Sequence, residues 1–284
     1  MSKRKVNDDD GSGSDSDVSF VDVDFDFFDP NPTVDYHALK RLLAQLFNRD
    51  AEHLPLAALV DLVLAQPTVG TTIKTDGLES DPYALLTVLN MHAHRANPAV
   101  AALAAYFLDR SAADPPFHAA LQALLAAPDA QLGLVLCERL VNMPVQTVPP
   151  MYRMLADEIK WAVADAESYA FTHLLFVSRT YHLSPAEEAA AAARAPPAHS
   201  KKSKKPKKTA LNAGRPPPDG IYPFHPEDAC IQEHATHTLS YAFAAAPSEP
   251  RDADAFGLDV RGRLILVDAQ RWDALVARLG EVYV

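Results

Sequence analysis

LGLVLCERLVNMPVQTVPPMYRML, Leu132 to Leu155, is where the choice of fold is made. Its first ten residues are apolar except for Glu138 and Arg139. A short run of this kind suits a strand covered on both faces. Pro149 and Pro150 then open a helix, since a proline in the first turn gives up an N–H that has no partner there anyway. Met151, Met154, Leu155, Ile159 and Ala162 fall on one face of that helix. A buried strand followed by an amphipathic helix is the repeating unit of an α/β sandwich.

The same alternation extends in both directions. Upstream, the spacing predicts helices over Tyr36–Phe47 and Leu54–Ala65, the first with Leu39, Leu42, Leu43, Leu46 and Phe47 on one face and Asp35 as N-cap. Strands follow at Val69–Thr75 and Ala84–His92, then helices at Ala99–Arg110 and Phe117–Ala127 with Pro115 and Pro116 between them. Downstream, Phe171–Leu183 reads as a strand, as do ATHTLSYAFA (235–244) and RLILVD (263–268). A last helix carries Trp272, Leu275, Val276 and Leu279 on one face. The expected class is α/β (α+β): a mixed central sheet flanked by helices. One domain is expected over 18–284, preceded by a disordered acidic tail at 1–17. An insertion at about 184–219 is alanine-rich, then lysine-rich, then proline-rich, and is expected to be disordered.

VDVDFDFFDP, Val21 to Pro30, carries the sharpest charge pattern. A period of two sends Val21, Val23, Phe25 and Phe27 to one face of a strand and Asp22, Asp24 and Asp26 to the other. The apolar row wants a core. The carboxylates must stay in water or meet something basic, because burying them unpaired is costly. Asp29, ahead of Pro30, adds a fourth. The first 30 residues hold nine aspartates against Lys3, Arg4 and Lys5, and the whole chain of 284 residues carries a formal charge of -11. Two readings of the acidic row compete: a docking face for a basic partner, or charges that keep an edge strand soluble and unpaired.

Two cysteines, Cys137 and Cys230, do not make a disulfide scaffold, which favours a reducing compartment. No apolar run is long enough to span a bilayer, so no membrane partner is expected. KKSKKPKK places Lys201, Lys202, Lys204, Lys205, Lys207 and Lys208 in one octamer. An extended basic peptide of this kind is what import receptors read, so it is the candidate nuclear-localisation signal. It lacks interleaved aromatics to stack bases and the rest of the chain is acidic, so direct nucleic-acid binding is not expected. Ser12 and Ser14 each precede an aspartate by three residues and are candidate phosphorylation sites.

Signals of catalysis are thin. Neither a phosphate-binding glycine loop nor a dinucleotide fingerprint occurs. Cys137, in an apolar strand, reads as a packed small hydrophobe rather than a nucleophile. HPEDACIQEHATH (225–237) sets His225, Cys230, His234 and His237 close in sequence, the last three on one face if the stretch is a helix. The spacing matches no zinc class and a second cysteine is missing, so no metal is assigned. No catalytic residue and no cofactor is expected. Glu138 and Arg139, at the end of their strand, either face outward or take part in ion pairs.

Four segments together resemble one family. VDVDFDFFDPNPTVDYHALKRLLAQLF, VGTTIKT followed by ALLTVLNM, LGLVLCERLVNMPVQTVPPMYRML, and LLFVSRTY before a lysine-rich insertion occur here in the order they take in the BCCIP (Bcp) family. The third is the most specific, with Glu138, Arg139, Asn142, Pro144, Gln146, Pro150, Met151 and Tyr152. HPEDACIQEHATH matches no block of the family that we identify. The resemblance implies a fold similar to that of the GCN-type acetyltransferases, without activity of that kind. The arginine/glutamine-x-x-glycine-x-glycine loop that would hold coenzyme A is missing from this chain. It further implies a non-enzymatic nuclear chaperone, shuttling to the cytoplasm, whose client is a basic large-subunit ribosomal protein, number fourteen in the universal scheme. Nuclear transport receptors and export of a client protein belong to the same implication. Its candidate client-binding residues are Asp22, Asp24, Asp26, Asp29, Glu138 and Arg139. The alternatives are an acetyltransferase with a degenerate cofactor loop, and a cell-cycle or DNA-repair adaptor like the animal members.

Overall fold

The computed structural model of the chain describes residues 23–184, 187, 220–244 and 259–283. Eight strands form one mixed sheet: β1 (Asp26–Phe28), β2 (Thr71–Lys74), β3 (Ala84–Asn90), β4 (Leu132–Arg139), β5 (His173–His182), β6 (Ile221–Pro223), β7 (Ala235–Tyr241) and β8 (Asp259–Asp268). Their order is β1-β2-β3-β4-β5-β8-β7, with β6 joined to the far half of β5. Every pairing is antiparallel except β4 with β5.

The described helices cover the two faces. On one lie α1 (Tyr36–Phe47), α2 (Leu56–Leu64), α3 (Pro98–Ser111) and α4 (Pro115–Ala126), which share a core with the inward side chains of β3, β4 and β5. On the other lie α5 (Val148–Ala164), the short α6 (Asp228–Glu233) and α7 (Trp272–Val282). The mixed α/β architecture expected from the alternation is the one observed. All five of the predicted apolar residues of α1 are buried, as are Trp272, Leu275, Val276 and Leu279 of α7. Because β3 and β4 are covered on both sides, their residues alternate between two apolar layers and no polar period marks them.

Several local expectations are corrected. Pro115 and Pro116 lie inside the first turn of α4 rather than between helices, and Asp114 caps it by accepting from the Phe117 N–H at 3.1 Å. Asp35 makes no side-chain cap on α1. Its carboxylate is wholly buried and meets Lys74 Nζ at 2.6 Å, so an ion-pair partner on the neighbouring strand displaces the capping role. The acidic first strand is shorter than its alternation suggests. Only Asp26–Phe28 pairs with β2, because β2 ends at Lys74, opposite Asp26. Val23 lies beyond that register and is exposed, whereas Phe25 and Phe27 pack half-buried on the α5 side. Strand β6 and helix α6 carry too few residues to show a period. The expected tail at 1–17 and most of the insertion at 184–219 lie outside the described residues.

Gly70 illustrates how tightly the edge is built. Its φ is +139°, its N–H donates to Glu158 at 2.9 Å, and a Cβ there would press on Thr87 and Pro30.

Candidate functional site

Strands β4 and β5 run side by side only from Leu132 to Leu136 and from His173 to Val177. Beyond that point they part, and β6 takes over the inner edge of β5 at Thr180–His182. In open α/β sheets the crevice at the carboxyl ends of parallel strands is the usual place for a ligand. Here that wedge is filled by side chains of the protein itself.

Glu138, two residues past the last pair of β4 with β5, is 1% exposed. Its Oε1 accepts from Gln45 Nε2 of α1 at 2.9 Å and from the Arg139 N–H at 3.0 Å, and lies 3.0 Å from His225 Nε2. Its Oε2 accepts from Arg179 Nε of β5 at 3.1 Å. Arg139 forms a bidentate pair with Glu227, with Nη2 donating to Oε2 at 2.9 Å. The Arg179 guanidinium lies under the ring of Phe224, 4.6 Å from its centroid. One layer deeper, Ser178 donates to Asp228 at 2.5 Å. The cluster therefore ties α1, β4, β5 and the 224–228 segment together.

Its titration follows from that packing. Burial pushes the Glu138 carboxyl up, but the hydrogen bond and charge of His225, with Arg179, outweigh it and hold Glu138 below the usual carboxylate range. Burial works against the charged form of His225 too, yet Glu138 and Glu227 raise it above the ordinary imidazole value. Asp228 has less help: burial, reinforced by Glu227, lifts it to about 6 against His225 and Ser178. Burial also pushes the Cys137 thiol well up, which suits its reading as a packed residue.

Glu138 and Arg139 are thus corrected as client-binding candidates. Both are buried and paired inside the molecule, because the parting of β4 and β5 turns their side chains into the wedge rather than to solvent. Of the two readings open for them, ion pairing is the one built. What remains open at the mouth is a pocket of about 290 Å³ lined by Arg139, Arg179, Phe224 and His225 with the apolar Leu140 and Met143.

The HPEDACIQEHATH stretch is also redistributed. His225 joins the ion cluster, Cys230 is buried in α6, His234 follows that helix and His237 lies on β7. The single helical face is not formed, and no group of ligand-type side chains suited to a metal occurs among the described residues. Sequence reading gave no role to Glu227, Arg179 or Lys74; the signal available was only that each charge falls within or beside an apolar run.

The acidic strand is arranged differently. Asp24, Asp26 and Asp29 are exposed, while Phe25 and Phe27 hold the strand down on the α5 layer. These three carboxylates are set on a sheet edge with their charges in water. Asp22, Ser12, Ser14 and the six lysines of 201–208 lie outside the described residues.

The comparisons agree with one another. A family model described as BCCIP matches residues 20–231, a span that takes in the start of the HPEDACIQEHATH stretch. A protein of Aspergillus fumigatus named Protein bcp1 is 41% identical over 255 residues, covering 88% of this chain and 83% of the relative. Protein bcp1 of Schizosaccharomyces pombe is 40% identical over 262 residues, covering 90% of this chain and 88% of its own. Among solved structures, the crystal structure of BCP1 from Saccharomyces cerevisiae superposes with a TM-score of 0.62 at 26% identity, over 94% of this chain and 91% of that one. Matched by that family model over most of its length and by these relatives, the chain belongs to the BCCIP family.

Proposed function

We propose that this protein is a binding protein rather than an enzyme: a nuclear chaperone and adaptor that escorts a basic client. The client favoured by the family resemblance is the large-subunit ribosomal protein numbered fourteen in the universal scheme. Nuclear entry through Lys201–Lys208, transport receptors and a part in export of a client belong to the same proposal. The observation that carries it is the exposure of Asp24, Asp26 and Asp29 in and beside the edge strand β1, which Phe25 and Phe27 anchor. A ribosomal protein is basic because it must meet RNA phosphate, and before assembly that surface binds nucleic acid indiscriminately. Carboxylates on a rigid edge can cover it, with fast and salt-sensitive capture. The commitment of Glu138, Arg139, Arg179, His225 and Glu227 to one another supports binding over catalysis, since none of them is left as a free acid or base.

The test is the capture rate of that ribosomal protein by the full chain and by the triple variant Asp24→Asn, Asp26→Asn, Asp29→Asn. Exposed pairs contribute roughly 0.2–1 kcal/mol each, so binding should weaken by about threefold to a hundredfold. The loss should sit in the association rate and shrink as salt rises. Capture at the wild-type rate in low salt would mean that the acidic edge only keeps the strand soluble. Stabilisation of the chain by acetyl-coenzyme A would favour the acetyltransferase alternative instead.

A further inference from the structure

Trp161 stands on the solvent side of α5 with 66% of its surface exposed. The other tryptophan, Trp272, is buried against Tyr152 and Phe176, so the indole at 161 is the one the core does not use. A tryptophan in water forfeits a large apolar area and is the residue type most enriched at the energetic centres of interfaces.

The surroundings of Trp161 are acidic. Asp157 lies one turn before it and Asp165 one turn after, both exposed, and the Asp165 N–H closes the last turn on the Trp161 carbonyl at 2.9 Å. The nearest cation in sequence, Lys160, is drawn sideways toward Asp157 and toward Asp273 of α7, at 3.9 and 3.6 Å. The acidity continues to the strand edge: Asp29 and Asp157 both bear on the carboxyl of Glu158, which is held by Gly70 and Thr71 in the same corner.

We infer that Trp161, with Asp157 and Asp165, is a docking point for an arginine- or lysine-bearing segment of a basic protein, the cation lying on the indole face between the two carboxylates. This rests on the basic-client reading and deepens it. The edge aspartates supply attraction at a distance, whereas a flat aromatic supplies the short-range contact that governs dissociation. Charge complementarity selects the occupant: the same α5 face of a second copy would set carboxylates against carboxylates.

The probe is a peptide of repeated arginine and glycine, immobilised, with the full chain and its variants passed over it. Wild type is expected to bind, and Trp161→Ala to bind about tenfold more weakly through faster dissociation. Trp161→Phe, which keeps a smaller flat face, should fall between them. Asp157→Asn with Asp165→Asn should slow association at low salt. Equal affinity of Trp161→Ala and wild type, or no binding of the peptide to either, overturns the inference. So does a dimer of wild type that Trp161→Ala abolishes, because the occupant is then a second copy. The same variants measured on the ribosomal protein separate the two readings. If that protein is captured regardless of Trp161, the client reading stands and the docking point falls. If the peptide depends on Trp161 while the ribosomal protein is not captured, the named client falls and the docking point stands.

Discussion

Carboxylates do opposite work in two regions of this molecule. In the wedge between β4 and β5, Glu138 and Glu227 are enclosed and each meets an arginine, so they hold elements together. On the edge strand and along α5, Asp24, Asp26, Asp29, Asp157 and Asp165 face water. Water and counter-ions already satisfy the exposed set, and removing a charge there costs the fold little. The buried set has no such reserve: losing one partner leaves another charge stranded in low dielectric. The difference separates residues that make the platform from those left over for a partner.

The sharpest way to break that contrast is Glu138→Ala. It strands Arg179 and His225 together, and should destabilise the protein by about 3–5 kcal/mol in urea unfolding. A loss no larger than that of a surface substitution would mean that water enters the wedge and the two regions are alike.

Gly262→Ala tests the apolar side of the platform. Gly262 of β8 pairs with Tyr241 of β7, and a Cβ there would fall inside the Tyr241 ring. That ring's hydroxyl is hydrogen-bonded to Tyr106, which donates to the buried Asp50. Displacing the ring should cost about 1–3 kcal/mol by overpacking. The check is again the unfolding midpoint.

pH sharpens the contrast through the titrating groups of the wedge. His225 is raised in the folded state, so its contribution is fully present below the unfolded imidazole value and is lost as pH rises through the folded one. Asp228, lifted to about 6, keeps its proton longer when folded, so its penalty builds up as pH rises from the ordinary carboxylate value to about 6 and is constant above it. Both signs agree, in adjoining windows: stability should fall as pH rises, through Asp228 up to about pH 6 and through His225 above the unfolded imidazole value. Glu138, held low, loses its contribution only in stronger acid. Unfolding curves of wild type and His225→Gln at pH values below and above the unfolded imidazole value check this, and the variant should show the smaller difference.

The smallest expected effect is at the edge. Asp24→Asn, Asp26→Asn, Asp29→Asn should leave the unfolding midpoint within about 0.5 kcal/mol of wild type while slowing capture of a basic protein. A large loss of stability would show that these carboxylates have partners inside the fold after all.

Much of the architecture was legible because it rests on periods. The apolar face of α1, the covered strands β3 and β4, the prolines that open α5 and the face of α7 all follow from which residues recur at which spacing. The alternation of aspartate with phenylalanine around Asp26 likewise announced an acidic row in water, and that is where Asp24 and Asp26 are. These are local properties: a side chain's direction on a helix or strand is set by backbone geometry within a few residues.

What the tertiary structure alone decided is the pairing of charges. Nothing near Glu138 in sequence points to Arg179, 41 residues on, or to His225, 87 residues on. Asp35 looked like a cap until Lys74, 39 residues away, proved to share its buried site. Whether a charge is a docking group or a structural one depends on what chain topology brings within a few ångströms of it. That is a question of three-dimensional distance and local dielectric, and neither has a period in the sequence.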